Sequence, residues 1–124
     1  MSTAGTRPLI LVVDDEHSMQ DMLSSVLTME GFPHEVARGG QEAIDILTTS
    51  PTKQRIMLLD LTMPVPGASV VRWLVEHPDI RAHTKIILMS ANHNLRAAMD
   101  LVHDDELAKP FGVDTLLALI EKFT

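Results

Sequence analysis

The sequence contains no cysteine, which excludes disulfide bridges, thiolate zinc sites and thiol nucleophiles. Aromatic residues make up only 3% of the chain, too few for base-stacking platforms. The 10 basic residues are outnumbered by 17 acidic ones, so the net charge of −7 disfavours binding to nucleic acid phosphates. No apolar run approaches membrane-spanning length, and residues 1–8 lack the apolar core of a secretory signal. We therefore predict a cytoplasmic protein that binds neither nucleic acid nor membrane.

The remaining composition is that of one globular domain. The chain has 124 residues, of which 45% are hydrophobic and 22% charged. This length suffices for a single hydrophobic core without staples. Residues 1–7 are small and polar and are predicted to form a disordered tail, and residues 8–124 to form the domain.

Short apolar runs alternate along the chain with segments of helical periodicity. Runs that are wholly apolar indicate strands buried on both faces, as in a parallel sheet. They occur at 9–13, 56–59 and 86–89, with a weaker strand at 34–37 and a marginal one at 106–108. Apolar spacing of three and four residues predicts helices at 18–30, 40–49, 68–76, 94–103 and 112–123, and Gly31 is expected to end the first. This alternation predicts an α/β fold with a doubly wound, five-stranded parallel sheet and five helices.

Polar residues follow these strands, where ligands bind in such folds. They are Asp14, Asp15 and Glu16 after the first strand, Asp60 after the third, Ser90 after the fourth and Lys109 after the fifth. Taken singly, an acidic pair, a serine or a lysine at a strand end is most often a solvated turn, a helix cap or a surface charge. Their conjunction in one fold is what favours a shared site.

A cluster of carboxylates at one rim predicts a divalent cation, because one lysine cannot neutralise three acids. Mg²⁺ takes one or two carboxylates and leaves room for phosphate oxygens. An ammonium and a hydroxyl aimed at the same point would stabilise a phosphoryl group there. No glycine-rich phosphate loop is present, so a nucleotide is not the implied phosphoryl source. The candidate nucleophile is a carboxylate, which forms an acyl phosphate.

Four motifs, in this order, resemble those of receiver domains of two-component response regulators. They are Val12-Val13-Asp14-Asp15-Glu16, Leu58-Leu59-Asp60-Leu61-Thr62-Met63-Pro64, Met89-Ser90-Ala91 and Lys109-Pro110-Phe111. The resemblance covers residues 8–123 and implies the flavodoxin-like strand order 2-1-3-4-5.

The resemblance also implies roles for single residues. Asp60 is similar to the aspartate that accepts a phosphoryl group from a sensor histidine kinase or histidine phosphotransfer protein. Mg²⁺ would be held by Asp14, Asp15, Asp60 and the backbone carbonyl of Thr62. Ser90 resembles the switch hydroxyl, and Lys109 the lysine that pairs with the phosphate through a cis peptide bond to Pro110. The resemblance implies a switch rather than a turnover enzyme, one that catalyses only its own phosphoryl transfer and dephosphorylation. It names no downstream protein target, and a phosphorylation-dependent homodimer is a further expectation.

The sequence departs from the family pattern at Glu106, where an aromatic residue is common. We hypothesise that Glu106 reports phosphorylation by charge repulsion or by a new hydrogen bond, the alternative being a solvated residue of an edge strand. The stretch from Ser90 to Lys109 is also shorter than expected, so the fourth helix is predicted to be short or irregular. The loop 63–67 is one residue shorter than expected, and its two prolines are predicted to stiffen it.

Two other functions remain open. A pseudo-receiver would keep the fold and act as an interaction module without control by phosphorylation, although the complete set of site residues argues against it. An aspartate-dependent phosphatase would need a second acid two residues after its nucleophile, where this chain has Thr62.

Overall fold

The computed structural model describes residues 7–61, 67–91 and 101–124, which form a five-stranded sheet covered on both faces. All four strand pairings are parallel, and the strand order is β2-β1-β3-β4-β5. The strands are β1 Leu9–Val13, β2 His34–Ala37, β3 Arg55–Asp60, β4 Thr84–Ala91 and β5 Asp105–Lys109. The predicted fold class and strand order are therefore confirmed.

Five helices are described, and four of them correspond to predicted ones. They are α1 His17–Met29, α2 Gly40–Thr49, α3 Gly67–Val75, α4 Pro78–Arg81 and α5 Val113–Lys122. The short α4 was not predicted, because its four residues are too few to show a helical period; Pro78 stands in its first turn. Of the predicted helix 94–103, residues 94–100 lie outside the described residues, and residues 101–103 are irregular.

Alternate residues of the central strands build two separate cores. In β1, Leu11 and Val13 pack with α2 and α3, whereas Ile10 and Val12 pack with α1 and α5. β1, β3 and most of β4 are thus buried on both faces, which explains why the runs 9–13, 56–59 and 86–89 within them are wholly apolar. Each fully buried large aliphatic side chain contributes roughly 1.5–3 kcal/mol relative to an exposed one. The two cores fix the sheet between its helices and therefore fix the carboxyl ends of the strands.

The end of α1 follows the predicted glycine stop. Gly31 has a φ of 77°, a left-handed conformation that favours glycine. Its N–H donates to Thr28 O at 3.1 Å, and Phe32 N–H donates to Leu27 O at 2.9 Å. This pair of hydrogen bonds is a Schellman motif, which turns the chain back into β2.

Arg7, the last residue of the predicted tail, contacts the end of the same helix. Its Nη1 donates to Glu30 O at 2.8 Å, and its guanidinium lies 4.2 Å from the centre of the Phe32 ring. Residues 1–6 lie outside the described residues. Within the part of the chain that the structure describes, every helix is too short or too polar to cross a bilayer.

Candidate functional site

The strand register brings two acidic residues side by side at the carboxyl edge of the sheet. Val13 of β1 pairs with Leu59 of β3, so Asp14 and Asp60 are the next residues along neighbouring strands. Both are almost fully buried, and Asp15 beside them is exposed. One carboxylate oxygen from each of the three lies within 4.8 Å of the other two. The edge of the sheet therefore carries a compact carboxylate cluster that is open on the Asp15 side.

Lys109 lies at the end of the edge strand β5, and its side chain extends to this cluster. Its Nζ lies 3.4 Å from Asp14 Oδ2 and 3.5 Å from Asp60 Oδ1. The Lys109–Pro110 peptide bond is cis, as the resemblance implies. The structure thus brings together four of the five charged side chains that the strand-end argument selected. Glu16 lies apart from this contact: its Oε1 accepts a hydrogen bond from Ser18 Oγ at 2.8 Å.

Asp14 is buried within this cluster of acids, and its pKa shows the consequence. Burial raises the pKa of Asp14 above its ordinary value, and the charge of Asp60 raises it further. The hydrogen bond from Glu16 N–H and the Lys109 ammonium lower this pKa, but they do not cancel the increase. A buried acid pair with an exposed third carboxylate is a donor set of hard oxygens, so the residues present fit a divalent cation such as Mg²⁺.

Asp14 is held in place by hydrogen bonds on both its side chain and its backbone. Its Oδ1 accepts from Glu16 N–H at 2.9 Å, and its carbonyl oxygen accepts from Gln20 Nε2 at 2.6 Å. Gln20 was not among the predicted site residues. The sequence feature that could have identified it is a polar residue at helical spacing from Leu23 and Leu27, on the buried face of α1.

Ser90 is fully buried near the end of β4 and faces the same side of the sheet as Leu88. Among the described residues, its Oγ has no hydrogen-bond partner. An unsatisfied buried hydroxyl is costly and is expected where a ligand oxygen completes its bonding. Thr62, predicted to give a carbonyl to the metal, lies outside the described residues.

Glu106, the residue at the departure from the family pattern, lies within hydrogen-bond distance of His103. Its Oε2 lies 2.8 Å from His103 Nε2, and His103 Nδ1 lies 2.7 Å from Leu101 O. Both ring nitrogens of His103 therefore lie within hydrogen-bond distance of oxygen atoms. Glu106 pairs across the sheet with Leu88, two residues before Ser90. The sequence hypothesis did not include His103, which is three residues away in an irregular segment.

A parallel sheet with an acid cluster and a lysine at its carboxyl edge is the arrangement that the resemblance to receiver domains implies. The family model described as "Response regulator receiver domain" matches residues 10–121. The chain belongs to the response regulator receiver domain family.

Three relatives illustrate the similarity. The response regulator MprA of Mycolicibacterium vanbaalenii is 33% identical over 113 residues, which cover 88% of this chain and 47% of MprA. Sporulation initiation phosphotransferase F of Bacillus subtilis is 30% identical over 117 residues, covering 92% of this chain and 91% of the relative. The structure of the response regulator TrrA from Thermotoga maritima, in complex with Mg²⁺ and BeF, has a TM-score of 0.81 and 27% identity. The match covers 94% of this chain and 99% of TrrA. The chain thus spans about half the length of MprA and most of the length of the other two.

Proposed function

We propose that this chain is a phosphoacceptor switch of a two-component phosphorelay, with Asp60 as the acceptor. The observation that carries the proposal is the Asp60 carboxylate at the end of β3, within 3.5 Å of Lys109 Nζ and grouped with Asp14 and Asp15. Family membership and the similarity to a protein named as a phosphotransferase support it. Location in the cytoplasm stays a prediction from the sequence.

The chemistry follows from the residues at the strand ends. A carboxylate oxygen of Asp60 attacks the phosphorus of a phosphohistidine on a sensor kinase or phosphotransfer protein. The O–P bond forms as the N–P bond breaks, and the bonding electron pair of the N–P bond stays on the imidazole nitrogen. The Lys109 ammonium neutralises part of the charge on the transferred group, and the buried Ser90 hydroxyl offers a donor to one of its oxygens.

Asp14, Asp15 and Asp60, with the backbone carbonyl of Thr62, are the residues proposed to hold Mg²⁺. The ion, when bound, supplies positive charge that offsets the acid cluster and the phosphoryl oxygens. Phosphorylation adds roughly −1.5 to −2 charges at this edge of the sheet. That change biases an equilibrium between two conformations and so alters the surface that partners bind. The chain acts on itself and turns over no external substrate in this proposal.

The test is incubation with Mg²⁺ and acetyl phosphate followed by intact-protein mass spectrometry. We expect a gain of one phosphoryl group in the native chain and none in Asp60→Asn. The matched control is Asp21→Asn, an exposed aspartate of α1, which should be phosphorylated like the native chain. Chelation of Mg²⁺ with EDTA should remove the gain.

The same experiment separates the alternatives. A native chain that gains no phosphoryl group contradicts the proposal and supports an interaction module without control by phosphorylation. Continuous release of phosphate from unrelated monoesters would instead indicate a phosphatase. Sedimentation of the phosphorylated and unphosphorylated chains tests the expected phosphorylation-dependent homodimer.

A switch role for Glu106 is part of this proposal. The contact with His103 gives the Glu106 carboxylate a defined position. Glu106 pairs with Leu88 of β4, so it lies on the same face of the sheet as Ser90. Extra negative charge at Asp60 would repel Glu106, so Glu106→Gln should change partner affinity in the phosphorylated form only. Equal changes in both forms would leave Glu106 as an ordinary structural residue.

A further inference from the structure

Gln20 is a buried polar side chain in a helix whose inner face is otherwise apolar. It is only 7% exposed and shares the inner face of α1 with Leu23 and Leu27, both fully buried. Burial of a carboxamide without a hydrogen bond costs free energy that an apolar residue would not. A glutamine at this position therefore points to a specific partner.

That partner is the backbone of the acid pair. Gln20 Nε2 donates to the carbonyl oxygen of Asp14 at 2.6 Å, which makes the side chain a tie between α1 and the end of β1. The backbone N–H of Gln20 donates to Glu16 O at 3.0 Å, so the same residue also closes the first turn of α1. Both bonds hold the short connection that carries Asp14, Asp15 and Glu16.

The carbonyl of Asp14 belongs to the peptide unit that joins Asp14 to Asp15. This unit is planar, so fixing its oxygen fixes the direction in which the chain continues to Asp15. The Asp14 carboxylate is already held by Glu16 N–H and Lys109 Nζ. Asp15 is exposed, and the orientation of this peptide plane sets the point from which its side chain extends. The bond from Gln20 therefore controls how the two carboxylates are placed relative to each other.

We propose that Gln20 is a positioning residue for the divalent cation site. The inference rests on the proposed function, since the cation is the one proposed for Asp14, Asp15 and Asp60. Groups that orient metal ligands typically change metal affinity by 10–100-fold when they are removed. Loss of the Gln20 donor lets the Asp14–Asp15 peptide rotate. Part of the free energy of cation binding is then offset by the cost of ordering the two carboxylates.

The test measures Mg²⁺ affinity by isothermal titration calorimetry without any phosphodonor. Gln20→Met keeps the length of the side chain and removes the donor, and we expect its dissociation constant for Mg²⁺ to rise about tenfold or more. Gln20→Asn keeps the amide but shortens its reach, and it should weaken binding similarly. The two variants together guard against a folding defect in either one.

Two controls separate positioning from loss of stability. Gln41→Met makes the same exchange at an exposed glutamine of α2, whose Nε2 donates to Asp45 Oδ1 on the same helix, at 3.0 Å. Leu23→Val trims the buried face of α1 without touching Asp14, so it should lower the melting temperature but leave Mg²⁺ affinity unchanged. Both controls should bind Mg²⁺ like the native chain.

Each outcome decides the proposal. Native affinity in Gln20→Met, within twofold, overturns the positioning role while leaving the cation site intact. A loss of affinity in Leu23→Val as large as that in Gln20→Met overturns it as well, because stability alone would then explain the effect. A native chain that binds no Mg²⁺ overturns the proposed cation site and this inference with it.

Discussion

At the scale of single residues, Asp14 shows a conflict between stability and the proposed function. Its buried carboxyl has a raised pKa because of burial and the neighbouring charge of Asp60. The folded state therefore binds a proton more tightly than the unfolded chain does. The contribution of Asp14 to the free energy of unfolding is therefore largest below its unfolded pKa of 3.8. It is lost as the pH rises through the higher pKa of the folded state. Ionisation of Asp14 is therefore a cost that the fold carries.

Asp14→Asn should therefore stabilise the metal-free protein. The amide has a similar shape and is neutral, so we expect the melting temperature at pH 7 to rise by about a few degrees, as for other relieved functional sites. The same variant should lose Mg²⁺ affinity. Differential scanning calorimetry in EDTA measures the first effect and titration calorimetry the second.

Asp45→Asn is the control for this variant, since Asp45 lies on the exposed side of α2. It should change neither quantity appreciably. A lower melting temperature for Asp14→Asn in EDTA would mean that the contacts with Lys109 and Glu16 outweigh the cost of burial.

At the scale of elements, the start of α3 is packed directly against the proposed phosphoacceptor. A Cβ atom at Gly67 would lie 2.6 Å from the carbonyl oxygen of Asp60, 3.2 Å from Leu59 Cγ and 3.3 Å from Leu61 Cδ2. The first of these contacts is with backbone, so the strand end or the helix must move to accept a side chain. The absence of a side chain at Gly67 thus lets the helix approach the site.

Gly67→Ala should consequently disturb both the fold and the site. Overpacking of this kind costs roughly 1–3 kcal/mol in the free energy of unfolding, measured by urea denaturation. We also expect slower phosphorylation by acetyl phosphate, because Asp60 moves with its carbonyl. Gly39→Ala is the matched control, as nothing lies within 4 Å of its Cβ position. A phosphorylation rate equal to that of Gly39→Ala would show that the strand end does not move.

The last helix is tied to the edge strand by a salt bridge. Lys122 Nζ of α5 lies 2.7 Å from Asp105 Oδ2 of β5, and Glu106 N–H donates to Asp105 Oδ1 at 2.9 Å. Burial raises the pKa of Asp105, but these hydrogen bonds and the Lys122 charge outweigh it and hold the pKa below its ordinary value. The pair therefore stabilises the fold above the unfolded pKa and loses this effect as the pH falls through the lower folded pKa.

Lys122→Met should lower the free energy of unfolding by about 0.5 kcal/mol at pH 7, since Lys122 is largely exposed. The difference from the native chain should shrink as the pH falls below about 4, the ordinary range of an aspartate. Urea denaturation at several pH values measures it, with Lys53→Met, an exposed lysine before β3, as control. Lys122 Nζ also lies 5.4 Å from the centre of the Phe123 ring. A difference that persists unchanged at pH 3 would indicate loss of this contact rather than of the ion pair.

At the scale of the whole molecule, the proposed cation site would couple Mg²⁺ binding to the stability of the fold. A ligand that binds only the folded state stabilises it by RT ln(1 + [L]/Kd), about 1.4 kcal/mol at ten times the dissociation constant. Addition of Mg²⁺ should therefore raise the melting temperature of the native chain.

Asp15→Asn should reduce this effect of Mg²⁺, because Asp15 is the exposed member of the cluster. Sodium chloride at equal ionic strength is the control, since the net charge of −7 makes any salt stabilising to some degree. An equal rise with either salt would mean that general screening, and not a specific site, is responsible.

The amino-acid sequence by itself determined the sheet, four of the helices and the residues at the strand ends. The reason is that central parallel strands must be apolar on both faces, so their limits, and the polar residues just beyond them, are visible in the pattern. Asp14 and Asp60 could be selected on that basis, because parallel strands end at one edge. Lys109 follows the edge strand β5, whose apolar pattern is only marginal.

Only the tertiary structure decided which side chains support these residues. The bond from Gln20 to Asp14 and the pair of His103 with Glu106 depend on loop and helix geometry that no periodicity encodes. The close approach of Gly67 to Asp60 depends on how two elements pack. Hydrogen bonds and steric contacts of this kind act over a few ångströms, so they follow from the final positions of the elements rather than from the composition of any one of them.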